Sequence, residues 1–280
     1  MTRLGAFARA LCLAAAAVLP GTAAAQSFVA QPQQYMMTTE AADGRSLWLQ
    51  PAGLSRRRES SLAGLLTADE SGGLSQYGIT LASGGLGIGW QRDRKIGSGT
   101  DVFSVGLGFG GPLAGIGADH RWYRGSGAKD GSWDIGARLN PAPALDLSIV
   151  WRDIGTPVFY VDSTSLAHTL RPTLVPGAAL NVLGRLRLAA EWEVVTDVWS
   201  TSAIRLGLAT QVVRGLSLSV RGDFAGNFDG RALAIALTWS GPEARATGFG
   251  SLVKGGTDRF GGWLAAVRDL SRSRRGGPFR

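Results

Sequence analysis

The sequence predicts an all-β fold: a transmembrane antiparallel β-barrel of about 14 strands with a short N-terminal hatch segment. Three observations predict it. Apolar and polar residues alternate with a period of two from about residue 74 to residue 270. The connections between the alternating segments are short and long in turn. The chain opens on an export signal, and no later apolar run approaches the ~20 residues of a membrane-crossing helix.

The signal comes first along the chain. Arg3 and Arg9 precede and flank a short apolar stretch, Ala10 to Leu19, and Ala23 and Ala25 supply an A-x-A site. Cleavage after Ala25 leaves Gln26 first, so residues 1–25 are an address and not part of the fold. The only cysteine, Cys12, lies in this leader. The mature chain is therefore expected to carry no disulfide, no thiol nucleophile and no cysteine metal site.

Composition narrows the class. With 41 Gly, 9 Trp and only 18% charged residues among 280, the chain is too apolar to be disordered. The formal net charge is +8, with basic runs at Arg56–Arg58 and in the tail at Arg272, Arg274, Arg275 and Arg280. These runs are not interleaved with aromatic residues, so they read as a solvated linker and tail rather than a nucleic-acid platform.

The alternation carries the barrel. From Trp133 to Asn140, one face is Trp, Ile, Ala, Leu and the other Asp, Gly, Arg, Asn. The same phase runs through 103–109, 145–152, 186–194, 204–212, 216–221 and 232–239. Successive side chains of a strand point to opposite faces. Segments of about ten residues, tilted as in a barrel, span roughly the 25 Å apolar band of an outer membrane. On this reading the apolar face meets lipid. Trp90, Trp122, Trp133, Trp151, Trp192, Trp239 and Trp263 then fall near strand ends as interfacial aromatics. The opposite face puts Asp119, Arg121, Asp134, Arg138, Asp146, Arg152, Arg187, Glu191, Glu193, Arg205, Arg221 and Asp223 in the lumen. Mixed charges there pair across the interior or line water.

The short connections fall near 83–85, 110–112, 140–144, 183–185, 213–215 and 240–243, the long ones near 93–100, 124–131, 155–169, 196–201, 225–230 and 254–260. Short turns belong in the periplasm and long loops outside. Parity then requires one earlier ascending strand, for which Glu59 to Thr67 is the candidate.

Just ahead of that strand runs Asp43-Gly44-Arg45-Ser46-Leu47-Trp48-Leu49-Gln50-Pro51-Ala52-Gly53-Leu54. It resembles the Asn-Pro-Ala-Gly-Leu segment that precedes the first strand in long-chain fatty acid transporter-like (FadL-like) barrels. It is also similar to the PorV/PorQ group associated with bacterial secretion. The resemblance implies about 14 strands, a hatch over residues 26–58 and a hatch turn at Gln50, Pro51, Ala52, Gly53 and Leu54. The family has Asn where this chain has Gln50, a longer side chain and a poorer binder of its own backbone. The charged lumen also departs from a transporter of greasy ligands; an apolar pocket fits better in external loop residues such as Val158, Phe159 and Tyr160.

Little in the sequence argues for an enzyme. Gly106, Gly108 and Gly111 satisfy G-x-G-x-x-G after a strand, but Pro112 and more alternation follow where a dinucleotide site needs a helix. His120 and His168 lie far apart without ligand-like neighbours, so no metal and no cofactor is expected. Glu191 and Glu193 share a face and read as an ion-pair set with nearby arginines. Two functions fit: passive binding and transport of small molecules, hydrophobic ones included, across the outer membrane, or a structural or secretion-associated partner-binding barrel without transport. The expected partners are outer-membrane lipid and either a small ligand or a protein, and not nucleic acid. A soluble β-sandwich is the third reading. The tail, 271–280, follows the last alternating segment and ends Phe279-Arg280 instead of on a strand-closing aromatic.

Overall fold

The structure, a computed structural model, describes residues 35–94, 99–125, 131–161, 166–182, 184–253 and 256–273. The expected export signal and the start of the expected hatch, 26–34, lie outside these residues, as does the end of the tail. In chain order the strands are β1 (Glu59–Asp69), β2 (Leu74–Ser83), β3 (Leu86–Asp93), β4 (Thr100–Gly110), β5 (Ala114–Arg124), β6 (Gly131–Ala142) and β7 (Leu145–Ile154). A small hairpin follows, β8 (Val158–Val161) and β9 (Leu166–Thr169). Then come β10 (Thr173–Val182), β11 (Leu186–Val195), β12 (Ser200–Val213), β13 (Leu216–Phe224), β14 (Gly230–Ser240), β15 (Ala244–Val253) and β16 (Gly256–Asp269).

All but β8 and β9 form one closed sheet of 14 antiparallel strands. Closure is made by β1, whose residues Glu59 to Asp69 pair with Asp269 to Arg259 of β16. The fold class read from the alternation is the one observed. Closure leaves no open edge, and that is what lets a sheet of this size stand in hydrocarbon. The period-two pattern decides which face goes where. Along β4, Thr100, Val102, Ser104, Gly106 and Gly108 are buried, while Phe103, Val105, Leu107 and Phe109 are exposed. The outer wall is thus a continuous band of exposed Leu, Ile, Val, Phe and Trp, a composition that suits acyl chains and not water.

The first and last strands of the sheet meet at the end of the barrel that carries the short turns, where the Leu270 backbone N–H donates to the Arg58 carbonyl at 2.9 Å. The longest connection, between β7 and β10, is more than a loop. It carries the β8–β9 hairpin, and Leu170 after it packs against an interior cluster containing Val102 and Tyr123. A short helix, α1 (Ser46–Leu49), and a 3-10 turn (Pro51–Ser55) precede β1; a second helix, α2 (Leu270–Ser273), follows β16.

One expected interfacial residue is corrected. Trp263 sits at an inward position of β16 between the buried Arg259 and Ala265, and is itself buried. Phase explains it: the outward residues of β16 are Leu264 and Ala266, so an aromatic in this strand fell on the lumen side of the alternation.

Candidate functional site: the barrel lumen

Residues 35–55 pack against the inward faces of strands around the barrel. Tyr35 stacks on Phe249 of β15 with ring centroids 4.6 Å apart. Arg45 lies 4.1 Å over the Trp263 ring and holds Asp43 in a two-pronged pair at 2.9 and 2.7 Å. The indole N–H of Trp48 donates to Thr80 of β2 at 2.8 Å. Gln50 Nε2 donates to the carbonyls of Ala137 in β6 and Ile149 in β7, at 3.0 and 3.2 Å. Burial alone would raise the Asp43 carboxyl, but the Arg45 guanidinium outweighs it and brings the group down to about 2.

The wall opposite α1 and the 3-10 turn is made of glycine. Gly87 and Gly89 of β3, Gly106 and Gly108 of β4, Gly115 and Gly117 of β5 and Gly136 of β6 all point inward and are buried. A side chain at Gly89, Gly106, Gly108, Gly117 or Gly136 would collide with the segment, and one at Gly87 or Gly115 would crowd it. A Cβ on Gly117 would lie 2.5 Å from the Pro51 carbonyl carbon, and one on Gly106 would lie 2.7 Å from Leu47 Cδ1. The G-x-G pair of β4 therefore makes room for another part of the same chain.

The charged residues read into the lumen all lie on the inward side, and the structure ties them into local sets. On the first wall Arg121 bridges Asp119 at 3.1 Å and Asp134 at 2.6 Å. Asp146 lies between Arg56 and Arg187. Arg205 pairs with Glu193 and stands 3.9 Å from both Glu191 and Asp223, while Arg221 pairs with Asp223 at 2.7 Å. Glu191 accepts the Thr38 backbone N–H. Arg138 bonds Asn140 and the Gly111 carbonyl.

Arginines also hold the segment's backbone. Arg221 donates to the Met36 carbonyl, Arg187 and Arg56 to that of Thr39, Arg121 to that of Trp48 and Arg152 to that of Leu49, at 2.9–3.2 Å. Three of these five also hold a carboxylate of the wall and the fourth, Arg56, reaches across to one. The fork of a guanidinium can serve both acceptors at once, which an ammonium does less well.

On the other side the described residues fill the lumen less. Inward Arg205, Gly207 and Ala209 of β12 and Ser217, Ser219 and Asp223 of β13 are only half-buried, and Gln211 is exposed. They form a strip of small and polar groups from the ion pairs down to the short-turn end. Sequence reasoning named Arg205, Asp223, Gly106, Gly108 and Trp263 singly, but not the strip, the glycine wall or the Asp43–Arg45–Trp263 set to which they belong. The phase of the alternation could have located the first two, since both are runs of small residues on the polar face.

The outer aromatic row is also built by register. Trp90, Phe103 and Trp122 stand directly across from one another on β3, β4 and β5. Trp122, Trp133, Trp151, Trp192 and Trp239 are exposed outward, and Trp90 is half-buried, with its indole N–H on Asp101 at 3.0 Å. His120 stacks on Trp122 at 4.4 Å between centroids, as part of that row.

No protein-family model and no curated protein matches the sequence. Solved structures do resemble the fold. A structure described as the CymD monoaromatic hydrocarbon channel superposes with a TM-score of 0.56 at 10% identity, covering 82% of this chain and 94% of that one. The Pseudomonas putida toluene transporter TodX superposes with a TM-score of 0.51 at 12% identity, covering 79% and 91%. At such identity the likeness is one of fold, that of outer-membrane channel barrels.

Proposed function

We propose that the protein is an outer-membrane barrel through which small molecules pass without an energy source, with residues 26–58 as its hatch. In this reading residues 1–25 are removed on export, 59–270 form the barrel and 271–280 are a basic periplasmic tail. One observation carries it: the inner segment fills the lumen against β3–β6 but leaves the inward residues of β12 and β13 half-buried. The route runs along that strip. Its Ser, Gly, Ala and Gln lining, below Arg205 and Asp223, suits small polar or amphipathic solutes better than greasy ones. The hydrocarbon channels of similar fold, and the FadL-like character of residues 43–54, support a transport role and leave the solute to this chain's own lining.

Liposome swelling tests this. Reconstituted protein is expected to admit small polar solutes, and Ser217→Trp with Ser219→Trp to slow them several-fold. Absence of flux from folded protein defeats transport. It favours the second reading, a PorV-like partner-binding barrel, which draws on how many arginines fasten the inner segment to the wall. Equal flux in the double variant places the route elsewhere.

A further inference from the structure

We propose that the closing seam between β1 and β16 carries a binding site for the phosphate of an anionic phospholipid in the periplasmic leaflet, held by Arg58 and Arg268. The inference rests on the outer wall facing lipid with the short turns periplasmic, and not on what passes through the lumen.

Register places the two arginines together. Ser60 is the partner of Arg268, and the Arg58 carbonyl accepts the Leu270 N–H one step further on. Alternation from the inward Glu59 and Val267 puts both side chains on the outer face, and both are exposed. They are diagonal neighbours on adjacent strands, about 7–8 Å apart in the backbone, within reach of one phosphate. Among the described residues neither guanidinium has a partner. The nearest carboxylates are occupied: Glu59 holds Arg245 at 2.6 Å, and Asp269 accepts the backbone N–H and hydroxyl of Ser271 at 2.8 and 2.6 Å.

The surroundings fit a lipid head. Beside the arginines, the Ser60 and Ser83 hydroxyls lie 2.6 Å apart on the outer surface, where hydrogen-bonding groups replace apolar ones. One step deeper along the same seam stand Leu62 and Leu264, exposed by 51% and 62%. Two unpaired cations, two hydroxyls and an apolar wall below them match a phosphodiester with its acyl chains running into the membrane. A soluble phosphate would use only the upper half of this surface, so the occupant is the lipid. A bound head would also span the two strands that close the barrel.

Native mass spectrometry of the full protein in detergent tests this, with phosphatidylglycerol and phosphatidylethanolamine as probes. The wild type is expected to retain one phosphatidylglycerol in preference to phosphatidylethanolamine. R58Q/R268Q is expected to lower that retention roughly tenfold or more. R214Q, at an exposed arginine in the β12–β13 turn, serves as the control and is expected to leave retention unchanged. A shift in gel mobility on boiling shows that each variant is folded; if the double variant is not, R58Q and R268Q singly are expected to give intermediate losses. Undiminished phosphatidylglycerol in folded R58Q/R268Q or in both single variants, or an equal loss in R214Q, overturns the site. Solute flux is unaffected by that outcome, so the two readings fail separately.

Discussion

Along β3–β6 the inward residues are buried up to the short-turn end, and seven of them are glycine; along β12 and β13 the inward residues are mostly small or polar, and most keep some exposure. Both walls obey the same alternation and belong to one sheet. The difference lies in what faces them. The first wall meets α1 and the 3-10 turn at backbone distance, so side chains there have been reduced to nothing. The second meets Met36 to Thr38 only along part of its height, through Arg221 on Met36 and Met37 beside Gly207. Small residues on a lumen face therefore have two meanings: close contact where a segment lies against them, and open space where none does. Only the first is intolerant of added atoms.

The largest expected effect breaks that distinction directly. Gly117→Val places carbon atoms where the Pro51 and Ala52 backbone now lies, at 2.5–2.7 Å. Overpacking of this kind costs at least 1–3 kcal/mol by general experience, about the scale that holds a short segment in place. The inner segment is expected to lift off, read as fast amide exchange over Ser46–Leu54 and increased conductance. Ala209→Val adds the same methyl groups to the half-exposed strip and is expected to change stability by less than about 0.5 kcal/mol. Equal responses from the two variants would abolish the contrast between the walls.

The next effect concerns charge. Arg121→Met strands Asp119 and Asp134, both with fully buried side chains, and removes a bond to the Trp48 carbonyl. Breaking one side of a buried pair costs about 3–5 kcal/mol. Asp223→Asn, on the opposite wall with 24% of its side chain exposed, is expected to cost about 1 kcal/mol or less. Denaturant unfolding in detergent measures both. A loss for Asp223→Asn as large as that for Arg121→Met would mean that the second wall is as dry as the first.

The barrel itself was open to sequence reading because each of its causes is local. Alternation fixes the two faces, turn length fixes the end of the barrel, and parity demanded a strand at Glu59, which closes the sheet on β16. The charged lumen residues followed from the same phase. What stayed hidden depends on which strands stand opposite each other across the lumen. Trp263 resembles the other strand-end tryptophans until β16 is phased from Leu264 and Ala266. Gly106 and Gly108 look like a turn motif or a weak strand until Leu47 and Leu54 are seen against them. One clue was readable: 26 of the 29 basic residues are arginine. The five guanidinium groups that hold the segment's backbone are forked donors of that kind.

Acid sharpens the comparison more gently. Asp43, paired with Arg45 and 3.5 Å from Arg245, has its carboxyl depressed from 3.8 to about 2. A depressed acid adds stability above its unfolded value and loses it as pH falls through its folded one. The contribution of Asp43 to docking of the inner segment is therefore expected to hold from pH 8 to about 4 and to weaken by about 2 kcal/mol towards pH 2. Asp43→Asn should show the weakened state already at neutral pH, while its remaining acid response flattens. A wild-type segment that loosens already near pH 6, followed by amide exchange, would mean that another carboxylate controls docking.

The smallest effect tests the 3-10 turn ahead of β1. Gln50 does not fold back on its own backbone; its amide crosses to the carbonyls of Ala137 and Ile149, which face each other on β6 and β7, through space left by Gly136. Its length is what allows this contact to the wall, in place of a local turn contact. Gln50→Asn is expected to lose both bonds and cost about 1 kcal/mol, because the shorter amide stops short of β6. Gln50→Ala should cost no more, since Gln50 Oε1 is buried without a partner among the described residues and leaves along with the donor. If Gln50→Asn instead stabilises the protein, the local turn is the stronger arrangement and the bond to the wall does not help to hold the segment against the glycine face.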